Sequence, residues 1–218
     1  TAPLGNTLDT STFGGPVTLT GGIGPDRITA SNFGSVLTGG AGRDTLNGGN
    51  GNDSIDGGAD NDTLNGGIGL DTIVGGTGND RIDGGADADK ITGGDGNDMI
   101  YGGAGNDTID GGTGDDVISA DEGNDDVYGG SGQDALSGGA GADLLDGQSG
   151  KDTLLGDAGN DTLRGGTDND ICLGGADNDT IDGGTGIDTV SGGTGINVLS
   201  NHELIDNIFV FDFSRLLV

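Results

Sequence analysis

The chain has 218 residues, 53 of them glycine, with 3% aromatics, no tryptophan and a formal net charge of −30. That balance excludes a nucleic-acid or anionic-membrane surface, both of which need a basic patch, and it describes a chain that stays disordered until something cancels the charge. One cysteine excludes an internal disulfide, and no apolar run approaches the ~18–20 residues of a membrane-spanning helix.

The opening residues, TAPLGNTLDT, have neither a basic start nor an apolar middle, so no signal peptide is expected. Residues 1–20 are read as an entry or cap segment. From Gly21 to Ser200 the chain repeats every nine residues through twenty units, with no insertion or deletion. Glycine dominates positions one, two and four of each unit. Position six is aspartate in eighteen of the twenty units, and position eight is aliphatic in nineteen, the exception being Cys172. Collagen fails as a reading because the glycines do not fall every third residue. A flexible linker has no reason to hold an aliphatic residue at every ninth place. Calcium-binding helix–loop–helix hands need flanking helices, which this glycine content forbids.

Positions seven to nine, such as Thr108, Ile109 and Asp110, alternate polar, apolar, polar, as in a short strand with one side chain inward. The six residues before them are turn formers. One turn and one strand make half a lap, so eighteen residues complete it. The predicted fold is all-β: a parallel β-roll, a right-handed solenoid of two sheets, with about ten laps stacked about 4.8 Å apart into a rod of roughly 48 Å.

Stacking places the aspartates in two rows. One holds Asp26, Asp44, Asp62, Asp80, Asp98, Asp116, Asp134, Asp152, Asp170 and Asp188; the other holds Asp53, Asp71, Asp89, Asp107, Asp125, Asp143, Asp161 and Asp179. Two carboxylates about 4.8 Å apart repel by about 0.9 kcal/mol in water, and by about 3.5 kcal/mol at an effective dielectric of roughly 20. Repeated along two rows, this rivals the roughly 5–15 kcal/mol of a typical protein's whole stability, so cations must lie between laps. The donors on offer are carboxylates and backbone carbonyls, hard oxygens in a flexible setting, which suit Ca²⁺ better than Mg²⁺. Sixteen aspartate pairs lie eighteen residues apart, and sixteen divalent ions would offset the −30 charge.

Units such as GGNGNDSID, GGTGNDRID and GGAGNDTID resemble the repeats-in-toxin (RTX) nonapeptide Gly-Gly-x-Gly-x-Asp-x-aliphatic-x over residues 21–200. The resemblance implies a calcium-loaded β-roll. It also implies, for each ion, carbonyls from positions two and four of one turn, carbonyls from positions one and three of the next, and both aspartates. On this chain that means Gly40 and Gly42 with Asp44, facing Gly57 and Ala59 with Asp62. Likewise Gly49 and Gly51 with Asp53 face Gly66 and Ile68 with Asp71, and Gly76 and Gly78 with Asp80 face Gly93 and Asp95 with Asp98. Ser35 and Asn197 replace aspartate at the two ends, and ADEGNDDVY (Ala120 to Tyr128) lacks both leading glycines, so sites there are expected to be weak. Aspartate at position four (Asp60, Asp87, Asp168, Asp177) is expected to keep the left-handed turn.

Asparagine recurs at position five, as in Asn61, Asn79 and Asn97. Either a stacked side-chain ladder or turn preference accounts for it. Cys172 is read as a small core residue. On one sheet the outward positions carry Met99, Tyr101, Val117, Ala135, Leu155, Ile171 and Leu173, which suit either a solvated β face or a docking strip for another domain or copy.

Residues 201–218 form the tail. HELID (His202 to Asp206) lacks the second histidine of a zinc-protease motif. Alternating Phe209, Phe211 and Phe213 suit a strand that caps the roll, and the family resemblance implies a C-terminal signal for one-step (type I) export. No catalytic constellation is present, so the chain is expected not to be an enzyme. The expected role is calcium binding by a secreted or cell-surface module that folds on extracellular Ca²⁺ and serves as scaffold of an exported protein. The alternative is a calcium-dependent matrix, surface-layer or adhesin protein.

Overall fold

A computed structural model describes residues 5–200, together with the backbone of Phe209–Val210. The described residues form strands and turns with no helix. Alternate strands join alternate sheets, one of twelve strands and one of eleven, so the chain winds about eleven times into a parallel β-solenoid. Strand pairing is parallel with an eighteen-residue shift, as in Leu46 opposite Leu64 and Ile55 opposite Ile73. The shift becomes twenty at both ends of the twelve-stranded sheet, where Thr7 pairs with Arg27 and Thr189 with Phe209. The remaining tail, including His202, Phe211 and Phe213, lies outside the described residues.

Strands are twice as long as three-residue periodicity suggests. From Val36–Ala41 to Thr180–Thr185 every strand runs over six residues, from position seven of one unit to position three of the next. The two leading glycines therefore belong to the strand and only positions four to six turn. Glycine's low β propensity hid this, because the pleat continues through it: Asp44, Leu46 and Gly48 all face inward.

The core is a double file, one aliphatic side chain per half-lap, from Ile28 at 0% to Val190 at 4% exposed. Cys172 occupies its place in that file. Each buried Ile or Leu contributes about 1.5–3 kcal/mol. Leu8, Val17, Leu19 and Leu199 are partly buried against the ends of the core. Pairing also continues through the turns, where Gly42 N–H donates to the Ala59 carbonyl at 3.1 Å and Thr63 N–H to the Asp44 carbonyl at 3.0 Å. Outside, Met99, Val117 and Ile171 are exposed, and Val117, Ala135 and Leu155 border a shallow apolar groove.

Candidate metal centre

Eighteen of the strands start just after a position-six aspartate, and the pleat that buries position eight also buries that carboxylate. The eighteen aspartates are 0–5% exposed. Sixteen of them send one oxygen, Oδ1, back to the preceding lap, where it accepts the backbone N–H of the aspartate eighteen residues earlier; in Asp26 and Asp53, the first of each row, Oδ1 accepts a non-aspartate N–H instead. Asp26 N–H donates to Asp44 Oδ1 at 2.7 Å, Asp98 to Asp116 at 2.7 Å and Asp125 to Asp143 at 2.9 Å. From Asp26 to Asp179 the other oxygen, Oδ2, is buried and has no hydrogen-bond donor. Buried polar atoms are rarely left this way, and an uncompensated buried carboxylate is among the most expensive groups a protein can hold.

Burial pushes the row carboxyls from Asp44 to Asp179 up, the backbone N–H pulls back, and neighbouring carboxylates push most of them further, as at Asp44 and Asp179. Asp62, Asp89, Asp116, Asp125 and Asp170 rise to about 7. Asp53, Asp71, Asp98, Asp152 and Asp161 rise to about 6. Desolvation is the first cause throughout. A cation beside the rows would reverse the effect by favouring the charged form.

The first glycine keeps the space in front of Oδ2 open. A Cβ on Gly39 would stand 2.4 Å from Asp44 Oδ2 and 2.5 Å from the carbonyl oxygen of Gly57, one lap on. At Gly48 the two oxygens are Asp53 Oδ2 and the Gly66 carbonyl, both at 2.6 Å; at Gly75 they are Asp80 Oδ2 and the Gly93 carbonyl, both at 2.5 Å. A carboxylate oxygen of one lap and a carbonyl oxygen of the next thus converge beside a carbon that carries no side chain. The carbonyls of Gly40, Gly49, Gly51, Gly76 and Gly78 likewise point at the next lap, within 1.9–2.5 Å of where a Cβ would sit on the glycine above. The carbonyls of Ala59, Ile68 and Asp95 already accept the N–H of Gly42, Gly51 and Gly78 at 3.1, 2.7 and 2.8 Å, which leaves each a second lone pair.

No group of three or more His, Cys, Asp or Glu suited to a metal ion occurs among the described residues. Side chains supply carboxylates in stacked twos, so any remaining ligands must be carbonyls. A donor set of hard oxygens on flexible turns fits Ca²⁺. The orphaned Oδ2 atoms and the cradles beside first glycines such as Gly39, Gly48 and Gly75 fit a cation of that kind.

Three features escaped the periodicity. Asparagine at position five forms no continuous side-chain ladder. Its Oδ1 instead accepts the position-five N–H of the following lap, as from Asn79 to Asn61 at 3.1 Å and from Asn124 to Asn106 at 2.9 Å. Asn178 Nδ2 to Asn160 Oδ1, at 3.1 Å, is a side-chain contact of the kind a ladder would need. Ser35 and Asn197 keep the row's hydrogen bond without its charge: Ser35 N–H donates to Asp53 Oδ1 at 2.5 Å, and Asn197 Oδ1 accepts Asp179 N–H at 2.8 Å. At the N-terminal end Asn6 N–H donates to Asp26 Oδ1, and Asn6 Nδ2 donates to the Gly21 carbonyl at 2.9 Å. Asn6 stands twenty residues before Asp26, off the nine-residue frame, so no period could reveal it.

Left-handed backbone at position four is present where expected, with φ of 74° at Asp60, 75° at Asp87, 78° at Asp168 and 77° at Asp177.

The family model for the RTX calcium-binding nonapeptide repeat (4 copies) matches residues 31–64, 38–73, 65–100, 101–136, 128–163, 146–181 and 182–200, continuous cover from 31 to 200. No curated protein matches the chain.

Proposed function

Because the chain belongs to the RTX calcium-binding nonapeptide repeat family, we propose that it is an extracellular module that winds into its roll as Ca²⁺ loads between laps. The observation that carries this reading is the pair of buried carboxylate rows whose Oδ2 atoms have no donor from Asp26 to Asp179. Without a cation those rows oppose winding; with one they join the laps. In this reading each ion lies between two stacked aspartates. The carbonyls of Gly40, Gly42, Gly57 and Ala59 serve the pair Asp44 and Asp62, and the other laps follow the same scheme.

No such site exists before the chain winds, so calcium affinity becomes folding energy. Extracellular modules bind Ca²⁺ in the range of about 10⁻⁴–10⁻³ M. The chain would stay unwound where calcium is scarce, in a form suited to one-step export, and would wind outside the cell. There it would serve as folding and scaffold module for the protein that carries it. Outward apolar side chains on one sheet, among them Met99, Val117 and Ile171, support packing against a neighbouring domain.

Circular dichroism tests the reading. In excess chelator at neutral pH the chain is expected to lack β signal, and to gain it cooperatively on addition of millimolar calcium. A chain already β-rich in chelator would reject it.

A further inference from the structure

The two edges of the roll are not equivalent. On the edge that carries Asp26 to Asp188, the first position is glycine in every unit from Gly21 to Gly183. On the other edge the run of glycines is broken once in its interior, between Gly102 and Gly138, by Ala120. That alanine is 0% exposed.

Its methyl group stands where the intact units keep open space. In the unit one lap earlier, a Cβ on Gly102 would meet Asp107 Oδ2 at 2.6 Å and the Ala120 carbonyl at 2.7 Å. On the opposite edge at the same level, a Cβ on Gly111 would meet Asp116 Oδ2 at 2.5 Å and the Gly129 carbonyl at 2.6 Å. At Ala120 the Cβ is real, and its counterparts are Asp125 Oδ2 and the Gly138 carbonyl. Heavy atoms do not approach a Cβ this closely, so these two oxygens cannot converge as they do at Gly102 and Gly111. Asp125 is 1% exposed and its Oδ2 has no donor, so the group still points into the interior. The next residue, Asp121, holds φ at 75°, where every other unit from Gly49 to Gly103 on this edge has glycine. Such backbone costs on the order of 1–3 kcal/mol. The first-position glycines themselves are not left-handed, so the alanine acts through its volume rather than through strain.

We infer that no ion seats between Asp125 and Asp143, so that this edge carries two separate calcium blocks, Asp53 to Asp125 and Asp143 to Asp179, beside one unbroken ladder on the other edge. The inference rests on the calcium reading above. It sets the full load at fifteen ions rather than the sixteen that the aspartate pairs alone allow, and it makes the level of Ala120 the place where the roll is least held together.

Native mass spectrometry of the full chain in millimolar calcium resolves single bound ions and decides the matter, with circular dichroism confirming that each variant is wound. Ala120→Gly is expected to carry one ion more than the wild type. Gly111→Ala, which puts the same methyl into the unbroken edge, is expected to carry one fewer. An Ala120→Gly chain with the wild-type ion count overturns the inference and leaves calcium binding intact. A wild type that holds no calcium removes both. Should Gly111→Ala fail to wind, the Ala120→Gly count still decides.

Discussion

Asp98 shows how one side chain serves two laps. Its Oδ1 accepts the N–H of Asp80 at 2.8 Å, and its own N–H donates to Asp116 Oδ1 at 2.7 Å, while its Oδ2 is buried without a donor. Replacement by asparagine keeps an oxygen for the first bond and leaves the second untouched, so the loss falls on the charge and on Oδ2, which becomes an amide nitrogen. The variant Asp98→Asn is therefore expected to raise the calcium concentration at mid-winding by about tenfold, the scale of about 1.4 kcal/mol for a lost charge-assisted contact. In chelator it should shift the chain slightly towards the wound state, because a buried charge is gone. Calcium titrations followed by circular dichroism read both effects, and an unchanged midpoint would remove Asp98 from the binding reading. Ser35 and Asn197 already lack this charge at the ends of one row, where an aspartate would have an acidic neighbour eighteen residues away on only one side.

At the scale of the element, the strand and the carboxylate row share one alternation. Position six, position eight and the next position one face inward together, so acid, aliphatic and glycine form three parallel files. The acid file has an unusual pH response. In the metal-free roll Asp62, Asp89, Asp116, Asp125 and Asp170 stand at about 7, against 3.8 for an ordinary carboxyl. A carboxyl whose folded value is raised favours the wound state below its unfolded value, and that contribution is lost as pH rises through the folded one. In chelator, then, β content is expected to increase as pH falls from 8 to 5. With calcium present the trend reverses in the titration: protons compete for the same oxygens, and the midpoint moves to higher calcium as pH falls below about 7. Spectra at pH 8 and 5 with and without chelator would show it. A metal-free chain that loses structure on acidification through this range would contradict the buried-row geometry.

For the whole molecule, folding is a property of the stack, because a single lap buries two aliphatic side chains and contacts only its neighbours. Cys172 makes this measurable. It is 0% exposed within the aliphatic file, and burial, with the charges of Asp170 and Asp188 added, pushes its thiol up to about 12. A wound chain thus hides a protonated thiol and an unwound one presents an ordinary one. Labelling with a thiol reagent at pH 8 is expected to be slower in millimolar calcium than in chelator by about two orders of magnitude or more. Equal rates would mean that the core file does not form on calcium binding.

Much of this molecule was legible as a line of text. Nine-residue periodicity, an aliphatic residue at position eight and aspartate at position six suffice for a parallel roll with two acid rows, because a solenoid repeats in space whatever it repeats in sequence. Other features waited for the tertiary structure, each because it depends on an approach between laps. Six-residue strands emerge only when glycine pairs with glycine eighteen residues away, as Gly40 does with Gly58. The division of labour between Oδ1 and Oδ2 depends on which lap each oxygen faces. Asn6 joins its row from outside the frame, and Ala120 matters only because its methyl meets the oxygens of the next lap. Composition and period determine that laps stack; only the distance between stacked laps decides which atoms are left over to hold a cation.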